Sequence, residues 1–547
     1  MRLIPRIRTR FIASELGFSM IAVMGVMAAS SLFVAAAFAA ANGDLPLTRD
    51  SQDRKQAFAA AEAGINYYQF HLNQDSDYWT RCINVPPPNG TENQPVNQRW
   101  NGITPPTDPR RWRKVAGTPT EYTIELLPAN GAAQCVEGDQ TTMIDPATGA
   151  FKIRATGRPR PNSKLRRTLV SQFRRRSFLD FLYFTEYETT DPIAYSSSWQ
   201  SWAQSKCGDK PRALRATSGG PNGNGCAEIQ FADFDDIQGP FHTNDDILTC
   251  GTATFGRPAP HTDSIEFSGP PPGYKKLGGS CSGNPVFGTT PRADVEPLKM
   301  PPTNGTLKAV AQAGGRVFNG ETWIKFLSDG TMQVRNKALG GSCYTFGNQG
   351  NGCNLPLPGN GVIYVETPAT GANCSTVQPS NADYAITDKC GNLYVSGDYT
   401  KSMTLSADND IIVRPWMNNS KVGDLNGIGN AVMGLIAQNF VRVYHPCNPE
   451  NGSLSLMKAV TIDAAILSLE HSFTADNHDC GSQLDKLTVM GAIAQKYRGP
   501  VGTTGNTGFK KNYLYDDRLR YRSPPYFLNP IAASWHVVRS NEQVPPR

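Results

Sequence analysis

The chain has 547 residues and a formal net charge of +6, with 39% hydrophobic and 18% charged residues. That apolar share excludes a chain that is disordered throughout. The length exceeds what one hydrophobic core usually supports, so we expect two or three structural units outside any membrane. The 51 glycines and 41 prolines favour turn-rich β structure over a helical bundle.

The first 41 residues predict an export signal. Four arginines precede Gly17, and the run from Phe18 to Ala41 contains no charged residue. At about 1.5 Å per residue this run is long enough to span a bilayer as a helix, with the arginines on the cytoplasmic side. Three interpretations stay open: a signal peptide cut at small-x-small sites ending at Ala39 or Ala41, a plain membrane anchor, or a short leader cut after Gly17.

A second helical segment is predicted after a break at residues 42–46, where Asn, Gly and Pro occur. Residues 53–65 are charged and then rich in alanine, which favours helix. Apolar residues three and four positions apart form a seam on one face of this helix: Phe58, Ala61, Ile65, Tyr68 and Leu72. The seam packs either on the chain's own domain or on another subunit.

These features together resemble the N-terminal region of PilX-type minor pilins, over residues 1 to 75. The similar elements are the basic leader, the Gly17-Phe18 junction, the apolar helix and the string Asp-Arg-x-x-Ala-Phe-x-Ala-Ala-Glu-Ala at 53–63. The resemblance implies cleavage after Gly17 by a prepilin peptidase, a mature and methylated Phe18, and a helix that bundles with other pilins or pseudopilins. Ordinary pilins carry Glu five residues after the cleavage point, where this chain has Ala22. This difference resembles the tip pseudopilin of type II secretion systems and implies priming or capping of a filament.

The twelve cysteines all follow the apolar run. Their even number behind an export signal favours disulfides in an oxidising compartment, and the simplest scheme pairs them sequentially. The candidate pairs are Cys82 with Cys135, Cys207 with Cys226, Cys250 with Cys281, Cys343 with Cys353, Cys374 with Cys390, and Cys447 with Cys480. No Cys-x-x-Cys spacing occurs, so the sequence predicts neither a zinc cluster nor another metal site.

Residues 76–190 predict a small β-rich domain and linker, with strands near 122–127 and 151–157. A basic cluster lies at its end: Arg158, Arg160, Lys164, Arg166, Arg167, Arg174, Arg175 and Arg176. Such a cluster is either a patch for DNA or another anionic polymer or a solvated face of adjacent strands. We favour the second interpretation and keep polysaccharide and DNA as candidate ligands.

Residues 191–500 consist of short apolar runs separated by Gly, Asn and Asp. Runs of this kind without intervening helices favour a β-solenoid with disulfide-bonded loops, and the alternative is a β-sandwich. Residues 501–547 are rich in aromatic residues and proline and predict a cap over the open end of the solenoid. The fold class is therefore mainly β, with a long N-terminal pilin-like helix over residues 18–75, first transmembrane and then amphipathic, behind a leader at 1–17.

No motif predicts catalysis, a cofactor or a bound metal. Acidic residues cluster at Asp233, Asp235 and Asp236, at Asp245 and Asp246, and at Asp408 and Asp410. Carboxylates along a β-helix face suit polysaccharide hydrolysis, but acids beside Asn and Gly are ordinary turn residues. We expect a non-enzymatic, single-pass membrane protein whose head lies outside the cytoplasm, at the cell surface or on a pilus. The alternatives are a secreted polysaccharide-active enzyme and a plain anchored envelope protein.

Overall fold

The computed structural model describes most of the chain from residue 20 onward. The described residues are 20–75, 78–82, 112–129, 131–133, 135–136, 142–145, 150–233, 235–277, 281, 283–344, 352–369, 374, 378–382, 389–415, 423–446, 458–503, 507–520, 522–531 and 535–546. Within the first helix, the side chains of residues 39–47 lie outside the description. The fold is mainly β, as predicted, with 37% of residues in strands and 22% in helices.

Helix α1 runs without interruption from Met20 to Gln74, which corresponds to a length of about 80 Å. The predicted break at residues 42–46 is therefore wrong. A proline inside a helix removes one N–H donor, whereas alanine-rich sequence on both sides favours helix. The helix-favouring segments on both sides therefore keep α1 continuous through Pro46.

A five-stranded antiparallel sheet packs against the second half of α1 within the described residues. Its strands, in spatial order, are β1 Arg113–Lys114, β2 Glu121–Leu127, β3 Ala150–Arg158, β4 Arg167–Arg175 and β31 Trp535–Glu542. The last strand comes from the C-terminal end of the chain and pairs with β4. Trp535 thereby enters the core of this sheet, where its ring lies 4.9 Å from that of Phe151.

The predicted apolar seam of α1 packs on this sheet. Ala61, Tyr68 and Leu72 are at most 1% exposed, so the seam packs on the chain's own domain. The helix and strand β3 approach closely because small residues face each other. A Cβ atom on Gly157 of β3 would lie 2.1 Å from the carbonyl oxygen of Ala57.

The remaining strands form the head. The bounds are β5 Tyr183–Thr190, β6 Gln230–Ala232, β7 Asp236–Gln238, β8 Phe241–Thr243, β9 Ile247–Cys250, β10 Thr254–Phe255, β11 Ile265–Phe267, β12 Tyr274–Lys276, β13 Val286–Phe287, β14 Arg316–Asn319, β15 Thr322–Phe326, β16 Thr331–Asn336, β17 Cys353–Pro356, β18 Val362–Glu366, β19 Leu393–Tyr399, β20 Met403–Ala407, β21 Ile411–Val413, β22 Leu425–Gly427, β23 Met433–Ala437, β24 Val441–Val443, β25 Val460–Ser468, β26 Phe473–Ala475, β27 Lys486–Arg498, β28 Gly502–Thr503, β29 Thr507–Gly508 and β30 Lys510–Tyr515. Helices α2, Ser197–Lys206, and α3, Thr306–Gly314, lie between strands.

Most head strands pair in parallel with strands from other segments of the head. In one ladder β18, β20, β23, β25, β27, β5, β8 and β11 follow one another. Each strand places an aliphatic or aromatic side chain at the same register position, which forms a continuous buried row: Ile363, Leu405, Leu435, Ile466, Ile493, Tyr183, Phe241 and Ile265. Strands β15 to β17 add an antiparallel extension.

The spatial order of the head strands differs from their order in the chain. Strands β5 and β7, from the beginning of the head, pair with β27 and β30 from its end. The chain then returns along the side of the stack through residues 293–305, where Asn244 Nδ2 donates to the Leu298 carbonyl at 2.6 Å. Farther along, Asn304 Nδ2 donates to the Ala407 carbonyl at 2.7 Å. The return ends at α3, which packs on β14 and β18.

These pairings place segments differently from the predicted domain limits. The ladders begin at Tyr183, ahead of residue 191, and include β30, which lies in the predicted cap. The Pro-rich segment that follows β30 runs across the paired strands β20 and β23, because the Pro525 carbonyl accepts a hydrogen bond from Thr404 and the Phe527 ring lies against Gly434. It therefore covers a side of the stack, and β31 then joins the small sheet.

Candidate functional site

The first part of α1 is an apolar helix that lies exposed within the described part of the structure. Residues Met20–Phe38 have a mean hydropathy of 2.2, and none of the segment is buried within the protein. Met20 and Phe33 are each 78% exposed. A contiguous apolar surface of this size marks an interaction or membrane site, and the segment is long and apolar enough to cross a membrane.

The hydroxyl groups in this segment have hydrogen-bond partners in the helix itself. Ser30 Oγ donates to the Val26 carbonyl at 2.6 Å, and Ser31 Oγ donates to the Met27 carbonyl. Such bonds to the carbonyl four residues earlier keep a serine compatible with an apolar surrounding. The helix therefore presents an apolar surface around its whole circumference.

The predicted processing site, Gly17 and Phe18, lies outside the described residues. Ala22 lies on the exposed part of α1. The cleavage after Gly17 therefore stays a prediction.

The basic cluster is largely paired with carboxylates inside the described residues. The ion pairs are Arg158 with Glu121, Arg160 with Asp53, Arg167 with Glu542, Arg174 with Asp180, and Arg176 with Glu266. Arg166 and Arg175 lie over the rings of Trp112 and Trp535. Several of these pairs connect segments that are distant in sequence. Because the arginines are paired with carboxylates, less net positive charge is left on this surface to bind a polyanion.

Six of the seven clustered acids have side-chain partners within the fold. Asp233 accepts from Thr252, Asp236 from Thr254, and Asp408 from Tyr364. Asp245 pairs with Arg215, Asp410 with Arg442 at 3.0 Å, and Asp235 with Lys511. Burial raises the pKa of Asp246. These bonds use the carboxylates structurally, so the described geometry gives the polysaccharide-enzyme alternative no pair of free acids at these positions.

A buried ionic cluster that the sequence does not reveal lies where the first head strands meet the last. Arg498 Nη1 lies 3.2 Å from Glu188 Oε2, and Lys511 Nζ lies 2.9 Å from Asp235 Oδ2. The guanidinium of Arg498 also lies 3.4 Å from the ring centroid of Phe231. In the sequence, the alternation along β30 is what could have indicated that Lys511 is buried, because it puts Lys511 on the same face as the buried Tyr513 and Tyr515.

A shallow hollow lies beside Tyr399, Asp463 and Asp516. Asp463 Oδ2 accepts from the Gly427 N–H at 3.2 Å, and burial raises the pKa of this carboxyl. The hollow encloses no space that a water molecule could occupy, so it offers no room for a sugar chain.

Five disulfides lie in the described part of the chain: Cys82–Cys135, Cys207–Cys226, Cys250–Cys281, Cys343–Cys353 and Cys374–Cys390. These are the pairs of the sequential scheme. Cys480 is also in a disulfide, and its predicted partner Cys447 lies outside the described residues. Among the described residues, no group of three or more His, Cys, Asp or Glu side chains is arranged to hold a metal ion.

Comparisons with protein families, with curated proteins and with solved structures found no match to this chain.

Proposed function

We propose that this chain is a non-enzymatic minor pilin or pseudopilin. Its N-terminal helix inserts in the membrane and joins other pilins or pseudopilins to prime or cap a type IV pilus-like filament. The β-rich head is displayed outside the cytoplasm for adhesion to a surface or ligand. The observation that carries this proposal is the division of α1 into an exposed apolar half and a half packed on the small sheet.

The exposed half favours a helix that has partners outside the chain. Its 19 residues extend about 28 Å, close to the thickness of a bilayer core. Alanine, glycine and serine occur throughout it, and small residues allow helices to approach closely in apolar surroundings. A signal peptide that is cut off has no need to continue as one helix into the folded domain. In a filament subunit, by contrast, one continuous helix connects the membrane-embedded part to the head.

We further propose that the head is a β-solenoid. Parallel pairing in register supports this fold, because Leu405 lies beside Leu435, about 30 residues later. A row of asparagine amides supports it as well: Asn439 donates to Asn409, which donates to Asn392, each at 2.6 Å. A β-sandwich of the alternative type consists of antiparallel sheets, which parallel ladders do not favour.

The test of the pilin proposal is the N-terminus of the mature chain. We expect mass spectrometry of the protein isolated from its native membrane to find a chain that begins at Phe18, with or without a methyl group. An intact leader that begins at Met1 would contradict processing as a pilin. A start at Ala40 or Asn42 would instead support a secreted protein.

Two variants separate the cleavage alternatives. Gly17→Glu should block removal of the leader, so the isolated chain should keep residues 1–17. Ala39→Leu disrupts both small-x-small sites, since Ala39 is a member of each, and should leave the start at Phe18 unchanged. The opposite pattern, with normal processing of Gly17→Glu and retention of the apolar run in Ala39→Leu, would refute the proposal.

A further inference from the structure

The buried cluster at Lys511 lies at the junction between the first and last strands of the head. Strand β30 pairs in parallel with β7, and Tyr513 lies beside Ile237. Two residues earlier on each strand, the same register brings Lys511 beside Asp235. This junction connects parts of the chain that are separated by most of the head sequence.

The lysine and the aspartate are in direct contact and shielded from water. Lys511 Nζ lies 3.0 Å from Asp235 Oδ1 and 2.9 Å from Oδ2. The side chains of Lys511 and Asp235 are 13% and 1% exposed, and the buried rings of Phe231 and Tyr513 lie on the same side. Burial lowers the pKa of Lys511, which favours the neutral, nucleophilic amine.

The two oxygens of Asp235 have different surroundings. Oδ2 accepts from the Ala232 N–H at 3.0 Å and lies 4.0 Å from Arg498 Nη2. A backbone donor and a guanidinium at one oxygen stabilise negative charge that develops on it when the carboxyl carbon is attacked. Oδ1 is the oxygen that can leave. Glu188, 3.2 Å from Nη1 of the same arginine, belongs to the same buried cluster, and its negative charge acts on Lys511.

We propose that Lys511 and Asp235 condense to an intramolecular amide bond. A proton passes from the ammonium to Oδ1, and the amine lone pair attacks Cγ. The Cγ–Oδ1 bond breaks as a second proton passes from the nitrogen to the leaving hydroxyl group, which departs as water. One ammonium and one carboxylate become one secondary amide and one water, so no oxidant or reductant is needed and Oδ2 keeps its bond from the Ala232 N–H.

The amide has a structural consequence for the head. A buried ion pair retains a large desolvation cost, and a neutral amide removes both charges from the interior. The new bond fixes β30 to β7 and closes the junction between the two parts of the ladder. It is independent of the pilin proposal, since it depends only on residues of the head.

The test is the intact mass of the full chain, purified in detergent, reduced and alkylated. We expect a mass lower than that of the linear chain by one water, and a branched peptide that joins the fragments containing Lys511 and Asp235. A full linear mass overturns the proposal. A water loss that maps elsewhere, such as to a succinimide at Asp329-Gly330, overturns it as well.

Variants provide the matched controls. Asp235→Asn should lose ammonia and reach the same final mass as the condensed native chain, whereas Lys511→Arg should keep its full linear mass. Lys496→Arg is the control, because Lys496 pairs with Asp209 and Glu470, whose side chains are 49% and 41% exposed. It should condense at Lys511 like the native chain, and loss of the bond in it would count against the assignment.

Discussion

The contact between α1 and strand β3 predicts a large effect of one methyl group. In Gly157→Ala, the new Cβ would lie 2.1 Å from the carbonyl oxygen of Ala57, 2.5 Å from the nitrogen of Ala61 and 2.9 Å from Cβ of Ala60. Ordinary van der Waals contact begins near 3.4 Å, so the helix must move by more than about 1 Å. Two of the three neighbours are backbone atoms, which cannot turn away as a side chain can.

The expected cost is about 3 kcal/mol, at the upper end for an overpacked site. Because the strain separates α1 from the sheet, we expect local opening of residues 57–72 and roughly hundredfold faster amide hydrogen exchange there. Hydrogen-exchange mass spectrometry of the purified chain measures this directly. Exchange in the rungs of the head should not change.

Two further glycines make the test specific. Gly64→Ala would meet the Tyr122 ring at 2.9 Å, a side chain that can rotate, and should cost less than Gly157→Ala. Gly359→Ala has its nearest neighbour at 3.8 Å and should have no effect. Equal exchange in Gly157→Ala and the native chain would refute the close helix–sheet packing, and with it the rigid connection between α1 and the small sheet.

Two other predictions concern the C-terminal strand and one buried carboxyl. Trp535→Ala removes a ring that contacts Trp79 and Phe151 and should destabilise the small sheet by about 3–5 kcal/mol, measured by urea denaturation; an unchanged midpoint would show that β31 is dispensable there. Burial, which outweighs the attraction of Lys496, raises the pKa of Glu186 to about 7. Because this pKa is higher in the folded than in the unfolded chain, the protonated Glu186 carboxyl favours the folded state. That stabilisation is complete below about pH 4.5 and is lost as the pH rises through 7, which lowers the free energy of unfolding by about 1–3 kcal/mol. In Glu186→Gln, the free energy of unfolding from urea denaturation should therefore differ less between pH 5 and pH 8 than in the native chain. An equal difference in the two proteins would contradict the raised pKa of Glu186.

The sequence alone determined the features that depend on local pattern. An uncharged run such as Phe18 to Ala41 can be read directly, because length and hydropathy decide whether a helix can cross a membrane. The seam through Tyr68 and Leu72 followed from helical spacing. The short alternating runs predicted a mainly β head for the same reason, since a period of two buries every second side chain.

Only the tertiary structure decided which distant segments meet. The return of Trp535 to the first sheet, and the pairing of β5 with β27, join residues separated by hundreds of positions. Neither β31 nor β5 carries a local signal for its partner, because strand pairing, antiparallel in the first case and parallel in the second, depends on backbone donors and acceptors that distant segments supply. The contact of Lys511 with Asp235 has the same origin: the sequence places a lysine on a core-facing position, but only the stacked strands bring a carboxylate to it.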